Sequence, residues 1–279
     1  MPTAVCAPSR LTLAGFSLAA LTVLSPAAAQ PERTTLVRER VAAYVQRFVD
    51  DLTNVVAEER YLQTFRLAVN RRRLRSDFLL VRYPGQERTY QAFRDVLEVD
   101  GRPVRDQQVR ITQLFLEPFA SAIKRAGEIA AASYRHSLPR ARLVDPLEAI
   151  SYLQGFYQAQ FEFSVAAADR RTGADVIELN FTQLTSASQT PRRGKALVVE
   201  STGRVIRTEL LAGSRQNVHI TTTDFGFNAA LDIDVPVRMR DQVPSSATDE
   251  FIGTADYSNF RRFQVRAEEQ VDIPARPEP

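Results

Sequence analysis

The sequence predicts an α+β fold: one large curled antiparallel sheet, an open half-barrel of about eleven strands, with helices packed on its concave apolar face. Most of the chain after Gly155 alternates apolar and polar residues at period two, as antiparallel strands with one solvated face do. Two other stretches repeat apolar residues every three or four positions, as helices that cover such a face do. A sheet of this width tends to curl.

The first thirty residues are predicted to be an export signal rather than part of the fold. Arg10 is the only charge before Glu32, and it is followed by an apolar run at 11–24 and a small-residue site ending at Ala29. This order is typical of a cleaved secretory signal, and the run is shorter than the about 20 apolar residues that span a membrane. We therefore predict a signal peptide over 1–29 and a mature protein that is periplasmic or secreted.

The mature chain is expected to form one domain. The single cysteine, Cys6, would leave with the signal, so the mature chain could form neither a disulfide nor a thiolate metal site. Its length allows a core that needs no such cross-link, since β-rich single domains often reach about 200–250 residues. We predict a single domain over 30–272 and a disordered proline-rich tail over 273–279.

The first predicted element of the domain is a helix over about 33–60. Its apolar residues form one stripe. A stripe of this kind must pack on another surface, and we expect that surface to be a sheet. Three strands follow and end at the tight-turn pair Asp100-Gly101; they cover residues 61–69, 74–83 and 89–99.

A helical period returns from about residue 105 to residue 154. Within it, Asp145, Pro146 and Glu148 favour a capped helix start. Eight strand candidates come after Gly155; they lie near residues 157–165, 177–182, 197–199, 205–211, 218–222 and 233–239, with two short runs in 251–266. Their alternation predicts a sheet with one continuous apolar face.

Composition and motifs argue against several classes of function. The 36 basic and 33 acidic residues nearly balance, and the one dense basic cluster, Arg71–Arg75, is predicted to be a solvated hairpin end that could also touch anionic lipid head groups. Nucleic-acid binding needs a clustered basic face, so none is predicted. No hydrolase, metalloprotease or phosphate-loop motif occurs, and Glu58 and Glu59 are expected to form salt bridges with Arg60 or a neighbouring strand. We predict no catalytic residue, no metal, no cofactor and no enzyme activity.

Several stretches carry a resemblance to a known superfamily. The turn and strand at Thr202–Leu210 and the closing Tyr257–Phe263 resemble the sheet of the LolA-like and LolB-like lipoprotein carriers of bacteria, which are exported half-barrels. Further stretches resemble secreted proteins of Gram-negative soil bacteria; they are Val55–Tyr61, Arg75–Arg82, Phe93–Val96, Phe115–Pro118 and Val235–Met239. Carriers of this superfamily latch a helical lid with an arginine, but no local motif assigns that role to an arginine here.

The pattern and the resemblance together favour a protein that binds a hydrophobic ligand, a lipid or a lipoprotein acyl chain, between sheet and helices. The predicted contacts are apolar residues on the strands; they are Tyr157, Phe161, Phe163, Val165, Ile177, Leu179, Phe181, Val235 and Val237. The alternative is an extracytoplasmic structural or protein-interaction module, in which the helices fill the hollow and an envelope protein is the partner. Peripheral contact with a membrane is compatible with either.

Overall fold

The computed structural model describes residues 26–53, 55–66, 70–81, 90–104, 119–138, 144–167, 175–184, 192–214, 217–244 and 250–262. Residues 1–25 and the tail from residue 263 lie outside the described part. The predicted boundaries of the signal peptide, the domain and the tail therefore stay predictions.

Four helices and eleven strands are present in the described residues. The helices are α1 (Pro26–Leu52), α2 (Phe119–His136), α3 (Glu148–Ser151) and α4 (Gly155–Gln158). The strands are β1 (Val55–Phe65), β2 (Arg71–Val81), β3 (Gln91–Val99), β4 (Arg102–Pro103), β5 (Phe161–Ala167), β6 (Val176–Gln183), β7 (Arg193–Val199), β8 (Val205–Ser214), β9 (Asn217–Asn228), β10 (Ile233–Val243) and β11 (Phe251–Arg262).

The described strands form one open sheet in the order β4-β3-β2-β1-β11-β10-β9-β8-β7-β6-β5. Every pair is antiparallel. The predicted α+β fold class, with a single antiparallel sheet of about eleven strands, is confirmed. The strands are divided differently from the prediction, because β4 adds a fourth strand before α2 and the two runs predicted in 251–266 form the single strand β11.

Helix α1 shows how the sheet curls. Its Arg38 guanidinium lies 4.9 Å from the Phe163 ring centroid on β5, and Thr53, which follows the helix, bridges to Leu80 on β2. Eight strand spacings separate β5 from β2, a path of about 38 Å along the sheet. The helix rises only about 22 Å between the same two points, so the sheet must bend around it.

The main core lies between α1 and the inner face of the sheet, and it holds the predicted stripe. Val37, Val41, Val45 and Phe48 are buried, and the Phe48 ring meets Phe225 of β9 edge-on at 5.4 Å. These residues follow the three- and four-residue steps from which the helix was predicted.

The turn between β7 and β8 packs closely against the same helix. Gly203 has a φ of +73°, and a Cβ there would lie 2.4 Å from the Arg40 carbonyl carbon. The Arg40 Nη1 donates a hydrogen bond to the Glu200 carbonyl at 3.0 Å. This turn needs glycine both for its backbone conformation and for its close approach to α1.

The predicted end of the first helix is wrong. Helix α1 ends at Leu52, and residues 55–60 belong to β1. The apolar stripe seemed to continue because Val55, Val56 and Ala57 are all buried, on a strand that is covered on both faces there. Buried strand ends of this kind mimic helical periodicity.

Candidate ligand-binding site

Six of the nine predicted contact residues lie in the core beneath the helices. They are Phe161, Val165, Ile177, Leu179, Phe181 and Val235, each at most 7% exposed. Phe163 is partly buried against this core, and its ring lies 6.3 Å from Phe181 and 6.4 Å from Phe161. This half of the inner face is therefore packed with side chains, and an apolar ligand there would have to displace helix α1.

The other two predicted residues are placed differently. Val237 is 38% exposed, because a β-bulge between Pro236 and Arg238 interrupts the alternation of β10. Tyr157 lies in α4 rather than in a strand, with its ring 6.1 Å from that of Tyr152.

The inner face carries a buried ionic cluster at its other end, which interrupts the continuous apolar face that the alternation predicted. Glu59 of β1 is 0% exposed and Arg94 of β3 is 8% exposed. The two Glu59 carboxylate oxygens accept from the Arg94 Nε and, at 2.6 Å, from the Arg94 Nη2. Tyr257 of β11 donates its hydroxyl to Glu59 at 2.9 Å.

The environment of this cluster favours a charged Arg94 and a neutral Tyr257. Burial disfavours the guanidinium charge, but the charge and hydrogen bonds of Glu59 outweigh it and raise the pKa of Arg94. Burial, followed by the negative charge of Glu59, raises the pKa of the Tyr257 hydroxyl. The cluster therefore combines a charged Arg94 guanidinium group with a neutral Tyr257 hydroxyl, both of which donate hydrogen bonds to Glu59.

Helix α2 covers this cluster and leaves a cavity of about 180 Å³ between itself and strands β2 and β3. The wall is mostly apolar, with a polar side at the ionic cluster; it is formed by Phe78, Ala92, Phe93, Arg94, Ala130, Ser133, Tyr134, Val144 and Asp145. The cavity is therefore suited to a small apolar group with one polar end.

Polar contacts close the cavity at two points. Ser133 of α2 donates its hydroxyl to the backbone carbonyl of Arg94. The Arg94 Nη2 also donates to the Val144 carbonyl at 3.2 Å. One arginine therefore links the sheet, the buried Glu59 and the segment that leads into α3.

Asp145 is the acidic group of the cavity wall. Burial raises the pKa of its carboxyl group to about 6, although the carboxylate accepts the Leu147 N–H at 2.8 Å. The capping role predicted for Asp145 is wrong, because α3 begins at Glu148 with Leu147 as its N-cap and no side-chain cap hydrogen bond; Asp145 instead closes the turn just before the helix.

The C-terminal end of α2 is held on strands β1 and β2. Gln63 donates to the Ser137 hydroxyl at 3.3 Å and accepts from the Leu138 N–H at 2.9 Å. The Arg72 Nη1 donates to the His136 carbonyl at 2.7 Å. Polar contacts therefore fasten this end of α2 to the sheet.

Sequence reasoning did not find Glu59, Arg94 or Asp145 as site residues. Glu59 was predicted to lie on a helix, so the strand alternation that turns its side chain toward the core was not recognised. Its neighbour Glu58 forms the predicted salt bridge with Arg60 at 2.8 Å. Strand alternation would have placed Arg94 inward, between Ala92 and Val96 on the same face. Its pairing with Glu59 depends on the register of three strands, which local pattern does not supply.

The described part of the chain shows no group of three or more His, Cys, Asp or Glu residues positioned to hold a metal ion. None of its helices combines the length and the apolar composition that a membrane crossing requires.

The described strands and helices form an open half-barrel with helices on its inner face, and several solved structures are similar to this chain. The chain is similar to a DUF1329 family protein from Desulfovibrio piger, at 12% identity and a TM-score of 0.44 over 82% of this chain and 93% of that one. It is similar to a LolA superfamily protein from Nitrosomonas europaea, at 11% identity and a TM-score of 0.39 over 82% of this chain and 94% of that one.

A third similar structure is a domain from Vibrio parahaemolyticus assigned as an outer membrane lipoprotein-sorting protein. It has 11% identity and a TM-score of 0.38, with 83% of this chain and 95% of that chain covered. No family model matches the sequence, and no curated protein matches it.

Proposed function

We propose that this protein is a non-enzymatic periplasmic or secreted binder of a hydrophobic ligand, a lipid or an acyl chain, held between the sheet and its helices. The observation that carries the proposal is the cavity between α2 and strands β2 and β3. The export-type N-terminal sequence and the apolar cavity wall support it. The sequence resemblance to lipoprotein carriers points to the same class of ligand.

The volume of the cavity sets the ligand that fits without motion. A dry apolar cavity of about 150 Å³ accommodates benzene, so a cavity of about 180 Å³ holds a group of roughly six carbons. Burying six methylenes supplies about 5 kcal/mol. A longer acyl chain would have to lift α2, which is why we place the entrance at this helix.

Two neighbouring alanines on α2 allow a matched test. Ala130 lines the cavity, whereas Ala131 is exposed. Ala130→Phe should fill the cavity and weaken binding of hexanoate and palmitate to the exported protein, measured by native mass spectrometry and calorimetry. Ala131→Phe should leave both affinities unchanged. Equal binding by the two variants would refute the location of the site.

Chain length then shows whether α2 moves. If α2 lifts, affinity should rise by about 0.8 kcal/mol per added methylene from hexanoate to palmitate. A plateau at six carbons would mean that the cavity stays closed. The proposal would be refuted if the wild-type protein bound none of these acids and carried no lipid after purification.

Seven of the nine residues predicted from the sequence, all but Tyr157 and Val237, mark a second location, beneath α1. Phe163→Trp tests it, because the larger ring would occupy any space that opens there. Loss of palmitate binding in Phe163→Trp, with Ala130→Phe unaffected, would move the site from α2 to α1.

The packed half beneath α1 favours a second candidate function, the structural or protein-interaction module. On that view the core is filled, and a protein partner binds the surface. Arg71 and Arg73 are exposed on the outer sheet face and offer a test. The pair Arg71→Glu and Arg73→Glu should reduce recovery of an envelope partner; unchanged recovery would count against this surface.

A further inference from the structure

A groove on the outer face of the sheet, opposite the helices, is independent of the proposed lipid site. It encloses about 540 Å³ across β11, β1 and β2, and is bounded at one end by the turn after β3. Ligand sites of proteins commonly measure about 300–1,000 Å³. Its walls are formed by Arg60, Tyr61, Leu62, Arg73, Leu74, Arg75, Glu98, Asp100, Gly101, Thr254 and Asp256.

Two arginines face each other across the groove. Arg60 of β1 pairs directly with Arg75 of β2 in the sheet register, and like charges at opposed positions destabilise a sheet. The Arg60 Nε donates to Glu58 at 2.8 Å, and Arg75 donates to Glu98. The hydrogen bond and charge of Glu98, with the charges of Glu58 and Asp77, raise the pKa of Arg75. A guanidinium group has five N–H donors, so each retains donors for another ligand.

A third arginine, Arg73, has no acidic side-chain partner among the described residues. Arg73 lies two residues before Arg75, on the same face, opposite Leu62. Its side chain is exposed, and none of the described residues gives its guanidinium an acidic partner. Asp100 instead accepts the backbone N–H of Arg73 at 2.8 Å, which fixes the strand against the turn and leaves the Arg73 side chain available.

The acidic residue on the far wall is already neutralised. Asp256 accepts from the Arg238 Nε at 2.7 Å, and Thr254 beside it contributes a neutral side chain. The groove therefore presents three guanidinium groups around the apolar Leu62. Arg60 and Arg75 are paired with Glu58 and Glu98, whereas the lining acids Asp256 and Asp100 are paired with Arg238 and, at 3.3 Å, with Arg72, outside the groove.

We propose that this groove binds a phosphate-bearing anion through Arg60, Arg73 and Arg75. A phosphate group has three strong acceptor oxygens and pairs with guanidinium groups in a bidentate manner. It can therefore engage three arginines from different directions, and its larger negative charge and third acceptor oxygen suit this set of guanidinium groups better than a carboxylate does. The same chemistry is offered by a small phosphate ester and by a phospholipid head group.

Arg73→Gln tests the site without disturbing the core, because this side chain is exposed. Arg193→Gln is the matched control: Arg193 is exposed on β7, away from the groove, and its replacement changes the net charge equally. Calorimetry with inorganic phosphate and glycerol 3-phosphate measures soluble ligands. Co-sedimentation with vesicles of phosphatidylglycerol in phosphatidylcholine measures a head group. Far-UV circular dichroism checks that both variants are folded.

The wild-type protein should bind in the calorimetry, in the vesicle co-sedimentation, or in both. Arg73→Gln should weaken that binding about tenfold or more, since a charge-assisted hydrogen bond is lost. Arg193→Gln should bind like wild type. Binding of the soluble esters identifies a free phosphate ligand, whereas binding to vesicles alone identifies a head group. Absence of binding in both arms, or equal weakening in both variants, would overturn the site.

Discussion

Breaking the buried pair between Glu59 and Arg94 should be among the most destabilising single changes in this protein. Arg94→Leu removes both guanidinium donors and leaves the Glu59 carboxylate, which is 0% exposed, with the Tyr257 hydroxyl as its remaining donor in this cluster. Removing one partner of a buried ion pair costs about 3–5 kcal/mol, because the other charge stays desolvated. That is a large share of the about 5–15 kcal/mol that stabilises a typical domain.

The double variant separates the charge effect from lost packing. Adding Glu59→Gln to Arg94→Leu removes the stranded charge and keeps an acceptor for Tyr257, so at least half of the lost stability should return. Urea unfolding followed by far-UV circular dichroism gives the free energy of unfolding for each corner of this cycle. For a pair this deeply buried, we expect the double variant to be more stable, by about 2 kcal/mol or more, than the sum of the two single changes would make it.

An exposed pair on the outer face is the control. Arg207 donates to Asp224 with about half of its side chain exposed, so Arg207→Leu should cost no more than about 1 kcal/mol. The reasoning fails if Arg94→Leu costs as little as Arg207→Leu. It also fails if the double variant is as unstable as the sum of its single changes.

Three further comparisons test other parts of the structure. The pKa of Asp145 is raised to about 6, so the protonated carboxyl stabilises the fold; this stabilisation is complete below the unfolded pKa and is lost as pH rises through about 6. Asp145→Asn should therefore remove about 1–1.5 kcal/mol of the difference in unfolding free energy between pH 5 and pH 7.5, measured by urea unfolding. Gly101→Ala, at a φ of +80° in open space, should lower the free energy of unfolding by about 1–2 kcal/mol. Gly203→Ala should lower it more, because the new Cβ would clash with the backbone of α1. Similar thermal midpoints for the two variants would contradict this. Phe181→Ala should lower the free energy of unfolding by about 3–5 kcal/mol. Phe227→Ala should lower it by at most about 0.5 kcal/mol, because this side chain is 59% exposed. Equal unfolding free energies for the two variants would argue against the core assignment.

The sheet was predictable because its strands alternate where one face meets water. Strand β6 shows this: Ile177, Leu179 and Phe181 are buried, and the residues between them are partly exposed. The first part of α1 was predictable for the equivalent helical reason. Where a strand is covered on both faces, as at the start of β1, alternation disappears and the sequence indicates a helix instead.

The candidate site was less predictable because it depends on contacts between distant segments. Arg94 and Glu59 are paired through β2, which separates their strands, and α2 closes the cavity from more than twenty residues further along the chain. Val237 illustrates the same limit at short range, since a single bulge turns a predicted inward side chain outward. The period of apolar residues predicts which way side chains point within one helix or strand. The register between strands and the position of a bulge depend on neighbouring elements, so the period does not predict them.

The two halves of the inner face have different physical properties, and the difference bears on function. Beneath α1 the contacts are apolar and close, so any opening there would expose buried surface at about 25 cal/mol per Å². Beneath α2 the packing of the buried Ile129 is joined by hydrogen bonds at the C-terminal end of the helix and through Ser133. On the proposed function, a ligand that enters beneath α2 would have to exchange these polar contacts as well as apolar ones. A ligand entering there would meet Arg94 and Asp145 at the polar side of the cavity, so an acyl chain with a polar end fits this half better than a plain hydrocarbon does.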